Sequence, residues 1–421
     1  MLGSENINRD KYIKKTNGNW EEYSKLIEEE KKYFVADEVP FWSNDAGYCN
    51  RERGRVYIYK DGQLIRITED MFNVYDIKSY KDKYGIFYGV ESNGFQKTEG
   101  KVYLIDYANY NVKPLDDSQS FVYTKIQPID DHRVLCCRND KSLHGEYQNE
   151  YIDIIDINTK EYTRNNKTTD THLYDNVLTD VSYLSGWLNK IIVEDEKIYY
   201  ISTQNGSSNI YYSKIGADDC INITNKSGKI LDYFLQSDKI YMFAMRGLSG
   251  GEFYTCDLNT GEEKRLSNFN NELEEKYEFP EVIQCNFNNS DGILIEGWLM
   301  KPSNLNLDKK HPGVLFIHGG PGSAYGAVAM HEMFAMCAEG YCVFYCNPRG
   351  SEGRGGDFAD IRRKWGTCDY KDLMDFMDYI IKTYRYIDIN NLGVTGGSYG
   401  GIMTNWIIGV SGKLNPADFG N

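Results

Sequence analysis

Four glycines and one serine within six residues restrict the fold of this chain more than any other feature of its sequence. They form the run Gly396-Gly397-Ser398-Tyr399-Gly400-Gly401. The apolar stretch 391–395 before the run predicts a β-strand, and residues 402–408 after it predict the start of a helix. A sharp turn from a strand into a helix needs small residues on both sides of its tip. The run therefore predicts an α/β fold with Ser398 on that turn.

Strands and helices also alternate upstream of the glycine run. Residues 313–317 and 341–345 are apolar and of buried-strand length, whereas 327–339 and 370–383 have helical spacing. Alternation of this kind predicts a parallel sheet covered by helices. Residues 281–421 are accordingly predicted to be the N-terminal portion of an α/β-hydrolase domain.

Residues 1–280 instead repeat two short strands around a tight polar turn. The copies are spaced about 43 to 58 residues apart, close to the blade period of β-propellers. They begin near Val56, Val102, Ile152, Ile210 and Phe253. Five blades are visible, and six or seven remain compatible with the pattern, which changes between 275 and 282. We therefore predict a multidomain β plus α/β protein with an N-terminal β-propeller, and a β-sandwich or irregular β-domain is the alternative.

Charge and composition exclude several functions. The formal net charge of −15 disfavours binding to nucleic acid or to anionic membrane surfaces. The N-terminus lacks the apolar core of a signal peptide, and no apolar run approaches the roughly 18 residues of a membrane span. The ten cysteines are scattered without metal-ligand spacing. These features predict a cytoplasmic, soluble protein with reduced cysteines and no metal.

The turn around Ser398 fits the G-x-S-x-G pattern of a nucleophile elbow, although a purely structural loop can contain the same pattern. Attack by such a serine needs N–H donors for the developing oxyanion. We assign one donor to Tyr399 and the second to the glycine-rich loop 318–322, with Gly320 preferred over Gly319. A phosphate-binding loop is the alternative for 318–322, but the P-loop ending and the G-x-G-x-x-G spacing are both missing.

The histidines offer no clear general base. His318 precedes the nucleophile and belongs to the glycine-rich loop, which predicts a structural role. The same role, or an exposed position, is predicted for His132, His144, His172, His311 and His331.

A series of short motifs runs along the C-terminal part of the chain. They are Asp291-Gly292, Glu296-Gly297-Trp298-Leu299, Lys301-Pro302, His318-Gly319-Gly320-Pro321, Asn347-Pro348-Arg349-Gly350-Ser351 with Gly353 and Gly355, Trp365-Gly366, Asp369-Tyr370, Asp372-Leu373 and the glycine run. In these motifs and in their order, the C-terminal part resembles the prolyl oligopeptidase family of serine peptidases, and most closely its acylaminoacyl-peptidase-like branch. The resemblance implies hydrolysis of short peptides through an acyl-enzyme on Ser398, without a metal or other cofactor. It also implies that the propeller excludes folded proteins, and homo-oligomer formation is left open.

The resemblance also identifies a departure. The family places its triad Asp and then its triad His after the serine, but residues 399–421 contain no histidine, and Asp418 is too close to the serine. We therefore expect a truncated chain with impaired or no activity, through a frameshift, a premature stop or a partial gene model. The alternative is a noncatalytic propeller-based protein that binds a peptide or a partner, and an esterase or lipase is a weaker one.

Overall fold

The structure is a computed structural model that describes residues 2–6, 15–30, 32, 36, 38–43, 47–48, 52–92, 94–116, 121–165, 170–181 and 190–411. By proximity of Cα atoms the chain divides into two compact units. The first unit is Met1–Lys141 with Tyr151–Arg164, and the second is Ser142–Glu150 with Asn165–Asn421.

Small sheets make up the first unit. Its described elements are β1 (Leu2–Asn6), α1 (Trp20–Glu30), β2 (Trp42–Ser43), β3 (Gly47–Tyr48), β4 (Glu52–Lys60), β5 (Gln63–Arg66), β6 (Phe72–Tyr80), β7 (Tyr84–Glu91), β8 (Lys101–Asp106), β9 (Val112–Pro114), β10 (Val122–Pro128), β11 (Arg133–Asn139), β12 (Tyr151–Asp156) and β13 (Tyr162–Asn165). The sheets have the strand orders β1-β4-β5, β2-β3, β6-β7-β8-β9 and β10-β11-β12-β13. In the β4-β5 hairpin, Lys60 pairs with Gln63 across Asp61 and Gly62, whose φ angles are 51° and 79°. Two positive φ angles are the geometry of a type I′ turn, which matches the twist of the strands.

Two further four-stranded antiparallel sheets lie in the second unit. The described elements of this part are a 3₁₀ helix (Gly145–Tyr147), β14 (Ile191–Glu194), β15 (Lys197–Gln204), β16 (Ser207–Lys214), β17 (Ile221–Asn222), β18 (Lys229–Gln236), β19 (Lys239–Met245), β20 (Glu252–Asp257), β21 (Glu263–Arg265) and α2 (Asn271–Lys276). The strand orders are β14-β15-β16-β17 and β18-β19-β20-β21. Alternating side chains such as Ile210, Tyr233 and Ile240 share one buried apolar cluster between these two sheets.

A mixed six-stranded sheet with helices forms the rest of the second unit. Its described elements are β22 (Glu281–Gln284), β23 (Phe287–Asn288), β24 (Leu294–Lys301), β25 (His311–Ile317), α3 (His331–Ala338), β26 (Cys342–Asn347), α4 (Gly356–Ala359), α5 (Cys368–Thr383), β27 (Ile387–Gly396) and α6 (Tyr399–Ser411). The order is β22-β24-β26-β25-β27, and β23 pairs with β24. Strands β26, β25 and β27 are parallel, whereas β24 is antiparallel to β26.

The core of this sheet lies between its strands and the helices α5 and α6. Leu315 of β25, Phe344 of β26 and Phe376 of α5 are fully buried in one cluster with Met403 of α6. Gly297 of β24 lets Phe376 approach, because a Cβ atom at that glycine would lie 2.3 Å from the phenyl ring. The sheet edge that carries Ser398 is thus anchored to a well-packed core.

Most predicted elements are present. The five predicted hairpins correspond to β4-β5, β8-β9, β12-β13, β16-β17 and β20-β21. The predicted strands, the helix over 370–383 and the helix after Ser398 are also found. The helix predicted over 327–339 begins only at His331, because the residues before it form bridges, Ala324 with Val177 and Val328 with Gly247. Closure of the sheets into a propeller and the domain limits stay predictions.

Two properties of the sequence can be compared with the described residues. No helix in these ranges is both long and apolar enough to cross a membrane. The nine cysteines within them form no disulfide bond with one another, and most of them are buried. Cys49 and the predicted tail residue Asp418 lie outside the described residues.

Candidate active site

Ser398 lies at the tip of the turn between β27 and α6. Its φ angle of 55° is in the left-handed region, which residues other than glycine rarely adopt. The residue is exposed, and Ile317 of the parallel neighbour β25 lies opposite Gly396, the last residue of β27. A serine held in this strained, exposed conformation between a strand and a helix has the geometry of a nucleophile elbow.

Two glycines of the run permit close contact between this turn and β25. A Cβ atom on Gly400 would lie 2.1 Å from the carbonyl oxygen of Ile317 and 3.0 Å from that of His318. A Cβ atom on Gly396 would lie 2.4 Å from the same Ile317 oxygen. Any side chain at these positions would therefore push the elbow away from the loop that follows β25.

That loop, residues 318–322, reaches the serine. A Cβ atom on Gly319 would lie 3.4 Å from Ser398 Cβ and 3.2 Å from the carbonyl oxygen of Gly397. No group in the described part of the chain accepts a hydrogen bond from the N–H of Gly319, Gly320 or Tyr399. The loop therefore lies beside the elbow, and the oxyanion role of these N–H groups stays a prediction.

The side chain of Tyr399, the residue after Ser398, is fixed by contacts with Asp369 and Trp365. Its ring is buried, its hydroxyl donates to Asp369 Oδ2 at 2.5 Å, and Trp365 packs edge-on against it at 5.0 Å. Burial and the nearby Asp369 carboxylate raise the pKa of Tyr399 far above its ordinary value. Asp369 also accepts hydrogen bonds from the N–H groups of Gly366 and Thr367 at the start of α5. The backbone of Tyr399 is therefore fixed by contacts that sequence patterns did not identify.

His318 is committed to structural contacts. Its Nε2 lies 2.9 Å from Ser351 Oγ and its Nδ1 lies 2.8 Å from the Gly319 carbonyl oxygen. The side chain is almost completely buried, and this burial lowers the pKa of His318 to about 4. A neutral imidazole with both nitrogens engaged cannot serve as the general base for Ser398.

The other histidines lie elsewhere in the described ranges, and none forms a hydrogen bond with Ser398. Three of them contact carboxylates: His132 contacts Asp130, His144 contacts Asp357 and Asp360, and His172 contacts Glu150 and Glu352. His311 contacts the carbonyl oxygen of Asn306, and His331 is exposed. The described residues also hold no cluster of His, Cys, Asp and Glu suited to a metal ion.

An ion pair between Arg349 and Asp372 joins the segment after β26 to α5. Asp372 of α5 is fully buried and accepts hydrogen bonds from Arg349 Nε at 2.9 Å and Nη2 at 2.7 Å, and from Asn289 Nδ2 at 2.6 Å. Arg349 lies two residues before Ser351, the partner of His318. Both Arg349 and Asp372 belong to motifs quoted above, but only the structure reveals that they contact each other.

Comparisons with known proteins find similar peptidases. A model described as the prolyl oligopeptidase family matches residues 327–414. The uncharacterized peptidase YuxL of Bacillus subtilis is 36% identical over 283 residues, which are 65% of this chain and 42% of that protein. Dipeptidyl-peptidase 5 of Aspergillus fumigatus is 31% identical over 192 residues, 45% of this chain and 27% of that protein. The chain thus spans less than half the length of these curated relatives.

Solved structures extend the likeness to the whole fold. The acylaminoacyl peptidase of Pyrococcus horikoshii superposes with a TM-score of 0.75 at 20% identity, covering 98% of this chain and 59% of that one. A puromycin hydrolase superposes with a TM-score of 0.63 at 15% identity, covering 86% of this chain and 56% of that one. At these identities the likeness concerns the fold.

Proposed function

We propose that the chain, whose residues 327–414 match the prolyl oligopeptidase family, acts in a serine-type peptidase whose nucleophile is Ser398. The conformation of Ser398 carries this proposal: a left-handed residue between β27 and α6, beside Gly319. The substrates are short peptides, of the kind taken by acylaminoacyl peptidases or oligopeptidases.

The reaction proposed is acyl transfer. Ser398 Oγ attacks the carbonyl carbon of the scissile bond, and the carbonyl oxygen becomes an oxyanion. The N–H of Tyr399 and that of Gly320 or Gly319 stabilise this charge, since preorganised donors act strongly where charge develops. The amine then leaves with a proton, and water hydrolyses the ester on Ser398.

The proton of Ser398 needs an acceptor. Among the described residues neither His318 nor any other histidine is placed to receive it. Loss of a triad member typically costs about 10⁴ to 10⁶ in rate, while the oxyanion donors and substrate binding still contribute. We therefore propose that the 421-residue chain alone hydrolyses peptides very slowly.

We also propose that the antiparallel sheets upstream form the N-terminal β-propeller of such a peptidase. The support is the succession of four four-stranded sheets along the described part of the chain, and the likeness in fold to acylaminoacyl peptidase. A propeller of this kind limits access to short substrates. Residues 1–280 and 281–421 are the domain limits that we propose.

The test supplies the missing base from solution. Purified chain is incubated with a fluorophosphonate probe with and without imidazole, and the modified residue is located by mass spectrometry. We expect slow labelling of Ser398 that imidazole accelerates, no labelling in Ser398→Ala, and unchanged labelling in Ser303→Ala, an exposed serine of the same unit. Without imidazole, a chromogenic acyl-aminoacyl substrate should be hydrolysed at close to the background rate.

Other outcomes would change the assignment. Ser398 left unlabelled even with imidazole, in a chain that still binds peptides, would favour the noncatalytic binding protein. Rapid peptide hydrolysis that Ser398→Ala abolishes would contradict the proposed lack of a base.

A further inference from the structure

A buried histidine that the proposed chemistry does not use lies next to the loop 318–322. His172 Nε2 is 3.0 Å from Glu352 Oε2, and its Nδ1 is 3.2 Å from Glu150 Oε2. All three side chains are more than nine-tenths buried. The ring of Tyr174 covers the imidazole at 4.7 Å. The imidazole of His172 therefore lies between two buried carboxylates.

Glu352 connects this histidine to the loop. Its N–H donates to the Ser323 carbonyl oxygen at 3.0 Å, and its Oε1 would lie 3.1 Å from a Cβ atom on Gly322. The preceding residue, Ser351, binds His318 at the other end of the loop. Two adjacent residues therefore hold both ends of the segment that contains Gly319 and Gly320.

The strand-like segment after His172 holds the exit of the same loop. The carbonyl oxygen of Asn176 accepts from the N–H of Ala324 at 3.1 Å, and the N–H of Leu178 donates to the carbonyl oxygen of Ala324 at 2.9 Å. His172 thus links two segments that together enclose the loop.

Charge gives the histidine a second effect. A buried carboxylate beside an oxyanion site opposes the negative charge that forms there, unless a cation compensates it. His172 is the cation that contacts Glu352, and the titratable groups around it are Glu150, Glu352 and Tyr174, with Tyr147 facing Glu352. Burial by itself lowers the pKa of His172, but Glu352 and Glu150 raise it to about 10, so that the imidazolium persists at neutral pH.

From these contacts we propose that His172 is a positioning residue for the oxyanion loop: through Glu352 it fixes residues 318–323 and neutralises the carboxylate beside them. The inference rests on the proposed function of Ser398 for its kinetic effect. Its structural effect on the loop does not depend on that function.

The test compares three chains: the unmodified chain, His172→Gln, and His331→Gln as a control at an exposed histidine of the same unit. The rate of Ser398 labelling by the fluorophosphonate with imidazole is measured from pH 6 to pH 9. We expect His172→Gln to be slower by about tenfold to a hundredfold, as for misplaced catalytic groups, and His331→Gln to be unchanged. The ratio to the unmodified chain, in which the ionisation of imidazole cancels, should stay constant over this range, because a pKa of about 10 keeps His172 protonated throughout.

A second substitution tests the charge argument. Glu352→Gln added to His172→Gln removes the carboxylate that needs compensation, and should restore part of the lost rate. A merely structural role for His172 would leave the double variant no faster than the single one.

Hydrogen–deuterium exchange of peptides covering 318–323 provides a readout that is independent of Ser398. We expect exchange about tenfold faster in His172→Gln than in His331→Gln.

Glu352→Ala, which leaves His172 paired with Glu150, gives the same comparison if His172→Gln does not fold. If the unmodified chain is not labelled at Ser398, the proposed function fails, while the exchange still decides the inference. A folded His172→Gln with unchanged loop exchange and labelling within about twofold at every pH would overturn it.

Discussion

Replacing Gly400 by alanine tests whether close contact between the elbow and β25 is required. The added methyl carbon would lie 2.1 Å from the carbonyl oxygen of Ile317, 2.9 Å from its carbonyl carbon and 3.0 Å from the carbonyl oxygen of His318. These are backbone atoms, which cannot rotate away as the end of a side chain can. Either α6 or the end of β25 must therefore move by about an ångström.

The cost follows from two opposing effects. Inserting a methyl group into a packed site costs about 1 to 3 kcal/mol, and a backbone obstacle favours the upper end of that range. Alanine gains up to about 1 kcal/mol over glycine through its better helix propensity. We expect Gly400→Ala to lower the free energy of unfolding by about 2 kcal/mol. Gly409→Ala, in the same helix with nothing within 4 Å of the added carbon, should raise it by up to about 1 kcal/mol.

Urea unfolding followed by tryptophan fluorescence measures both changes, since Trp298, Trp365 and Trp406 all lie in the second unit. Because the displaced atoms lead into the loop 318–322, Gly400→Ala should also slow imidazole-assisted labelling of Ser398 by about tenfold or more. A Gly400→Ala chain as stable as the unmodified one would refute the steric argument. Unchanged labelling of a destabilised chain would refute its extension to the oxyanion loop.

Two further substitutions concern buried carboxylates. Asp372→Asn should lower the free energy of unfolding by about 1 to 3 kcal/mol, because it disrupts the hydrogen bonds of a fully buried carboxylate while Arg349 keeps its ion pair with Asp291. The exposed Asp378→Asn on the same helix should change it by less than about 0.5 kcal/mol. Equal urea midpoints for the two variants would contradict this. Although burial raises the pKa of Glu252, hydrogen bonds from residues 267–270 lower it to about 2 from an ordinary value of 4.5. The ionised carboxylate therefore stabilises the native state above about pH 4.5, and this stabilisation is lost as pH falls towards 2. In urea titrations at several pH values, Glu252→Gln should have a lower free energy of unfolding than the unmodified chain at pH 7, and this difference should shrink in acid. A difference that does not depend on pH would show the reasoning to be wrong.

Local signals in the sequence were sufficient for much of the fold. The resemblance to the prolyl oligopeptidase family is confirmed. The strand, the glycine run and the helix around Ser398 lie where the pattern placed them, because a tight turn depends on residues adjacent in the chain. The hairpin at Asp61-Gly62 was predictable for the same reason. The start of α3 was misplaced, since the residues before it bridge to Val177 and Gly247, which no local pattern reveals.

The glycine run illustrates the division between local and long-range information. By itself the sequence determined that Ser398 stands on a turn between a strand and a helix, and that the 23 residues after it include no histidine. Only the tertiary structure decided that Gly400 is needed because of Ile317, and that Gly319 lies beside the serine. It also decided that His172 and Glu352, 180 positions apart in the chain, meet beneath the loop. Such pairs form when separate segments pack together, and the free energy of burying them depends on neighbours that no window of sequence contains.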